Sequence, residues 1–102
     1  MSKKPIITEQ YAVRLFTELF GRDLVSRIDK LCEEWAELEH ELFDYVLRDK
    51  NLSQKEKVLD ELSDLYTVLV HLASILGSNS QKLLEMAVDK VERRQIDPNY
   101  KR

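Results

Sequence analysis

Two acidic pairs with one spacing stand out along the chain, Glu34 with Glu37 and Glu61 with Asp64. Residues three apart on a helix lie about one turn apart on neighbouring parts of one face. Unpaired carboxylates at that spacing repel, whereas a divalent cation reverses the sign of the interaction and keeps them ionised. An all-oxygen set of this kind suits magnesium, with manganese as a substitute. The 19 acidic residues also supply pairs such as Glu37/Glu41 and Asp60/Asp64, so solvated helix faces are the competing reading of the spacing alone.

Four elements must position these groups. Thr8 is placed to N-cap a first helix carrying Ala12, Leu15, Phe16, Leu19 and Phe20 at 3-4 spacing, with Gly21 as its stop. The stripe Leu24, Ile28, Leu31, Trp35, Leu38, Leu42 and Tyr45/Val46 predicts a longer second helix from about Asp23 to about Asp49. Ser53 and Glu56 read as a capping box before a third helix with the stripe Val58, Leu62, Leu65, Leu69, Leu72 and Leu76, ended by Gly77. Leu83, Leu84, Ala87, Val88 and Val91 mark a fourth helix before Asp97-Pro98, and Asn99 to Arg102 form a loose tail. Short connections favour antiparallel neighbours, so the expected fold is all-α: a four-helix, antiparallel, bundle-like domain spanning residues 1–102 with its core over about 8–95, helices two to four packing together and the first laid across them.

At 100° per residue, Glu34 lies about 80° and Glu37 about 140° from the centre of the helix-two stripe. Glu61 and Asp64 lie at about 80° and 140° on helix three, in the same sense. Antiparallel helices packed stripe to stripe are related by an approximate two-fold axis, so matching flanks open on one side and the four carboxylates can converge. The pairs are offset along the axis by roughly 6 Å, which the connecting loop can absorb.

Composition narrows the class of protein. With 102 residues, 43% apolar and 34% charged, the chain is sized for one globular domain. Its formal charge of −3, with both signs interspersed, gives no whole-chain field that would select nucleic acid or an anionic membrane. The apolar run Pro5 to Ile7 is too short for a signal peptide, and Leu65 to Leu76 is too short and too often interrupted to span a bilayer. A single cysteine, Cys32, and no Cys/His cluster with zinc spacing suit a reducing, cytoplasmic compartment. No glycine-rich phosphate loop is present, which speaks against a P-loop mechanism.

The string Lys30-Leu-Cys-Glu-Glu-Trp-Ala-Glu-Leu, followed by Asp60-Glu-Leu-Ser-Asp-Leu-Tyr, resembles the E-x-x-E and E-x-x-D motifs of MazG-like all-alpha nucleoside triphosphate pyrophosphohydrolases. The 23 residues between Glu37 and Glu61 fit that family's gap, and Lys90-Val-Glu-Arg-Arg looks like its basic segment. The resemblance covers roughly Asp29 to Arg94 and departs at Gln95-Ile-Asp-Pro; dimeric dUTPases and phosphoribosyl-ATP pyrophosphatases share the acidic motifs. It implies water attack on the α–β linkage of a nucleoside triphosphate, giving a monophosphate and pyrophosphate, in a nucleotide-pool house-cleaning role. Glu34, Glu37, Glu61 and Asp64 would then be the metal ligands and catalytic residues, one glutamate orienting or deprotonating the water.

Several side chains keep two readings. Lys90, Arg93 and Arg94 either contact phosphate or favour a helix C-terminus. Lys30 either contacts phosphate or forms an i,i+4 pair with Glu34, the pair being favoured. Trp35 stacks on a base or, from its stripe position, packs in the core, and Tyr66 at a stripe edge is equally two-sided. His40 and His71, off their stripes, read as surface residues, and Cys32 as a small packing residue. A chain this short with long one-sided helices predicts apolar surface left for self-association, as a dimer or tetramer. The rival to the enzyme reading is a non-catalytic helical-bundle interaction or regulatory module.

Overall fold

A computed structural model of the chain describes residues 6–48, 51–97 and 99, all of whose regular structure is helical. Helix α1 runs Glu9–Phe20, α2 Leu24–Leu47, α3 Leu52–Ile75 and α4 Ser80–Gln95. The four-helix, all-α, bundle-like architecture expected from the periodicity is present. The anticipated end of the second helix near Asp49, and all of the tail beyond Ile96 except Asp97 and Asn99, lie outside the described residues.

Each helix begins on a short polar side chain that accepts an otherwise unpaired N–H. Thr8 accepts from the Tyr11 N–H at 3.1 Å, Asp23 from Ser26 at 3.1 Å, Asn51 from Gln54 at 2.8 Å and Asn79 from Lys82 at 2.8 Å. The third of these corrects the expected Ser53 cap. Asn is as good an N-cap as Ser, and Asn51 comes two residues earlier, so Leu52 and Ser53 join the first turn. Gly21 and Gly77 supply the positive φ, 73° and 79°, that reverses the chain after α1 and α3.

The main seam joins α2 to α3. Leu38, Val58 and Val68 are buried along it, with Leu31, Leu65 and Leu72 half-buried. Buried or half-buried positions on α2 are Ser26, Arg27, Lys30, Leu31, Glu34, Leu38, Glu41, Asp44 and Tyr45, whose mean direction is turned roughly 85° from the apolar stripe toward the carboxylates. Helix α3 is turned roughly 40° the same way. Trp35 is therefore 54% exposed in the single chain, and not the core residue that its stripe position suggested. Cys32 and Tyr66 are exposed as well.

Helix α1 lies on the back of α3, where Phe16, Thr17 and Phe20 surround His71. Contrary to its reading as a surface residue, His71 is 0% exposed. Its position off the α2-facing stripe is covered by α1, a contact that the periodicity of α3 alone does not reveal. The ring sits 6.2 Å from Phe16 and 6.4 Å from Phe20, with Nε2 3.4 Å from Thr17 Oγ1 and Nδ1 unpartnered. The buried guanidinium of Arg27 lies 4.8 Å over the Phe20 ring. His40, by contrast, is exposed as expected and lies 3.5 Å from Asp44.

Burial, reinforced by the positive charges of Arg27 and Arg22, pushes the His71 imidazole below its ordinary 6.5. The unfolded chain then binds a proton that the folded one resists, so the contribution is complete above 6.5 and declines as pH falls from there toward the folded pKa. His71→Gln should remove this loss. Urea unfolding of parent and variant between about pH 5 and 7 checks it, and parallel curves would show that His71 does not titrate across unfolding.

Helix α4 is held mainly at its start. The Glu9 carboxylate of α1 accepts from the Ser80 N–H in its first turn, and Leu83 and Leu84 line a cleft with Tyr66, Leu69 and Val70 of α3. None of its residues is buried.

Candidate active site

The rotation of α2 and α3 brings the acidic groups to the seam itself. Glu34, one turn before Leu38, is only 4% exposed, and Glu61 faces it from α3 as a half-buried side chain. One carboxylate oxygen from each of Glu34, Glu61 and Asp64 lies within 4.8 Å of the others. Glu37 is not in that set of three, but its negative charge acts on Glu61.

Electrostatics set this cluster apart from ordinary helix-surface charge. Burial, then the carboxylates of Glu37, Asp64 and Glu34, raise the proton affinity of Glu61 above the usual glutamate value. Asp64 is raised by burial and by Glu34 and Asp60, against the opposing charge of Lys30. Glu34 Oε2 and Glu61 Oε2 are buried with no hydrogen-bond partner. Buried acceptors of this kind cost free energy unless a proton or a cation satisfies them.

The fit to a divalent ion can be tested on the donor set. Octahedral magnesium holds its oxygens at 2.0–2.1 Å, which places trans ligands about 4 Å apart. Oxygens already within 4.8 Å of one another need only small side-chain movements to satisfy it. The ligands are hard carboxylates with no Cys or His among them, which favours magnesium or manganese over zinc.

Lys30 reaches the cluster, with Nζ 3.0 Å from Glu34 and 3.4 Å from Glu33. The favoured pair with Glu34 is thus formed. Hydrogen bonding to Glu34, opposed by burial, raises the Lys30 pKa, so the ammonium is held charged. Lys90, Arg93 and Arg94 are not brought to the carboxylates. They line a separate cleft with Asp97 at the end of α4, where Arg93 pairs with Asp89 at 2.9 Å. Arg93 and Arg94 occupy the last turn, where positive charge favours the helix C-terminus.

Arg27 and His71 are the buried polar residues whose setting the sequence reading missed. Arg27 and Glu34 are seven residues apart, and the i,i+7 relation was the available signal that both share one face of α2. Its apolar neighbours pulled the predicted inward face away from them. No family model, no curated protein and no solved structure matches the chain.

Proposed function

We propose that the protein is a magnesium-dependent pyrophosphohydrolase that cleaves a ribo- or deoxynucleoside triphosphate at the α–β linkage, releasing nucleoside monophosphate and pyrophosphate. The observation that carries this reading is the convergence of buried Glu34, half-buried Glu61 and exposed Asp64 at the edge of the α2–α3 seam, with two unsatisfied carboxylate oxygens. Such an arrangement is costly for the free protein and becomes favourable when positive charge enters it. The MazG-like order and spacing of the same residues supports the reading from the sequence side.

In this reading Glu34, Glu61 and Asp64 hold the ion, with Glu37 beside them. Bound there, magnesium supplies charge against the triphosphate oxygens and increases the acidity of water. Glu37, against Glu61 but outside the set of three, is assigned the role of orienting the attacking water and taking its proton. Lys30 holds Glu34 in place and presents an ammonium beside the phosphate path. Leu38 and Val58 close the inner side of the seam, excluding water that would screen these charges. A cytoplasmic setting and a role in clearing nucleotide pools belong to the same proposal. Among the described residues no helix is long and apolar enough to cross a membrane.

The test is pyrophosphate release from a panel of ribo- and deoxynucleoside triphosphates, with magnesium and with chelator. Release that requires magnesium and favours particular bases establishes the activity. A folded protein that releases pyrophosphate from none of them, and is not stabilised by magnesium, would return the chain to the reading of a non-catalytic interaction module.

A further inference from the structure

Helix α1 is lightly fastened to the rest of the chain. None of its twelve residues is buried, and an isolated helix of that length is marginal in water. At its start Glu9 accepts from Ser80 of α4, and in its second half Phe16, Thr17 and Phe20 close over His71 of α3. Beside its first half runs an open cleft of about 590 Å³, lined by Gln10 and Val13 on one side and Ser74 and Lys82 on the other. The connection to α2 is no more than Gly21 to Asp23. Asp23 caps α2 by accepting from Ser26, a bond in which α1 takes no part.

The second fastening is built around a group that changes charge. His71 is fully buried, and its Nδ1 has no hydrogen-bond partner. The charged groups that act on it are Arg27 of α2 and Arg22 of the α1–α2 connection, while α1 offers two phenyl rings and the Thr17 hydroxyl. Among the described residues no carboxylate pairs with it. The neutral imidazole suits this setting. A protonated one adds a third positive charge beneath apolar rings with no counter-ion, which is costly as long as water is kept out. Of the elements around the ring, α1 is the one able to leave, because α2 and α3 hold each other through Leu38, Val58 and Val68.

We propose that His71 is a proton-operated latch for α1: the neutral ring holds the helix against α3, and the protonated ring releases it to water while the α2–α3 seam stays folded. Glu9 leaves Ser80 in the same step, so the start of α4 loosens with it. Burial and the two guanidinium groups hold the closed ring below 6.5, the ordinary value that it regains once hydrated. Docking is therefore complete above 6.5 and is lost as pH falls from there toward the closed pKa. His71 stands seven residues beyond Asp64, about two turns along α3, and the latch does not depend on the pyrophosphohydrolase reading.

Amide hydrogen exchange of the full chain, corrected for the intrinsic rate at each pH, tests this at about pH 7, 6 and 5 without nucleotide or metal. The expected result is a several-fold fall in the protection of Val13 to Phe20 from about pH 6 to 5, bounded by the roughly tenfold per unit that one proton allows. Protection of Leu65 to Leu72 in α3 should hold. His71→Gln, which has no charge to gain, should keep α1 protection level across the range. Arg27→Met keeps His71 but removes the guanidinium over Phe20, and should shrink the fall. Protection of α1 that does not change with pH in the parent overturns the proposal, as does a fall that persists in His71→Gln. So does loss of protection in α1 and α3 together, which is unfolding of the whole chain and not release of one helix.

Discussion

Glu61→Gln should make the metal-free protein more stable while abolishing its response to magnesium. The Glu61 carboxylate is desolvated and surrounded by Glu37, Asp64 and Glu34, and its raised proton affinity records the cost of keeping it charged. A group whose folded pKa is raised contributes stability that is complete below the unfolded value, 4.5, and is lost as pH rises through the folded value. At neutral pH the parent therefore carries the penalty, and an uncharged amide of similar shape removes it. The variant should melt a few degrees higher than the parent in chelator, whereas in millimolar magnesium the order should reverse. Pyrophosphate release, where the parent shows it, should fall by at least about 100-fold, since even changes to groups behind a metal's ligands cost 10–100-fold. Thermal melts of both proteins with magnesium and with chelator check the stability half independently of any substrate. If the variant melted lower in chelator and still responded to magnesium, the seam would not be the cation site.

Leu38→Ala should be among the most destabilising single truncations available. Leu38 is 3% exposed, at the centre of the α2–α3 seam one turn from Glu34. Removing its isobutyl group leaves a cavity that two long helices cannot easily close, at a cost of about 3 kcal/mol. For a domain of this size that corresponds to a melting temperature lower by roughly 10–20 °C. Denaturant midpoints at matched chain concentration provide the check, since linked association would otherwise shift the comparison. A loss below about 1 kcal/mol would mean that the seam repacks, and with it the spacing of the carboxylates on either side.

The helices were legible in the sequence because their causes are local. Thr8, Asp23 and Asn79 cap within three residues, Gly21 and Gly77 turn the chain, and no proline interrupts the long elements. Of the two caps named from the sequence, Thr8 holds, and Ser53 gives way to Asn51, a residue equally able to accept an N–H, so that only the chain path chooses between them. The acidic pairs were legible for a related reason. Three-residue spacing and a matching angular sense on two adjacent helices depend only on helical geometry.

What could not be read was how far each helix turns about its own axis. The α2 stripe is wide enough to be buried through either edge, and periodicity treats both edges alike. Trp35 and Ile28 were given to the core and stand half exposed, while Glu34 and Arg27 take the buried places. His71 was assigned to the surface because the α3 stripe faces α2, yet Phe16 and Phe20 of α1 close over it from the other side. The cleft of Lys90, Arg93 and Arg94 similarly depends on where α4 points, which its own composition does not encode.

By itself, the sequence determined four helices, their order, and the presence on two of them of equally spaced carboxylates on matching flanks. Hydrogen bonds and helical period act over a few residues, and so are written into a few residues. Tertiary structure decided which edge of each stripe is buried, that Glu34 and Glu61 meet at the seam, and that a broad apolar flank stays uncovered. Those outcomes depend on non-local contacts among whole helix faces, where a few tens of degrees of rotation exchange a tryptophan for a glutamate.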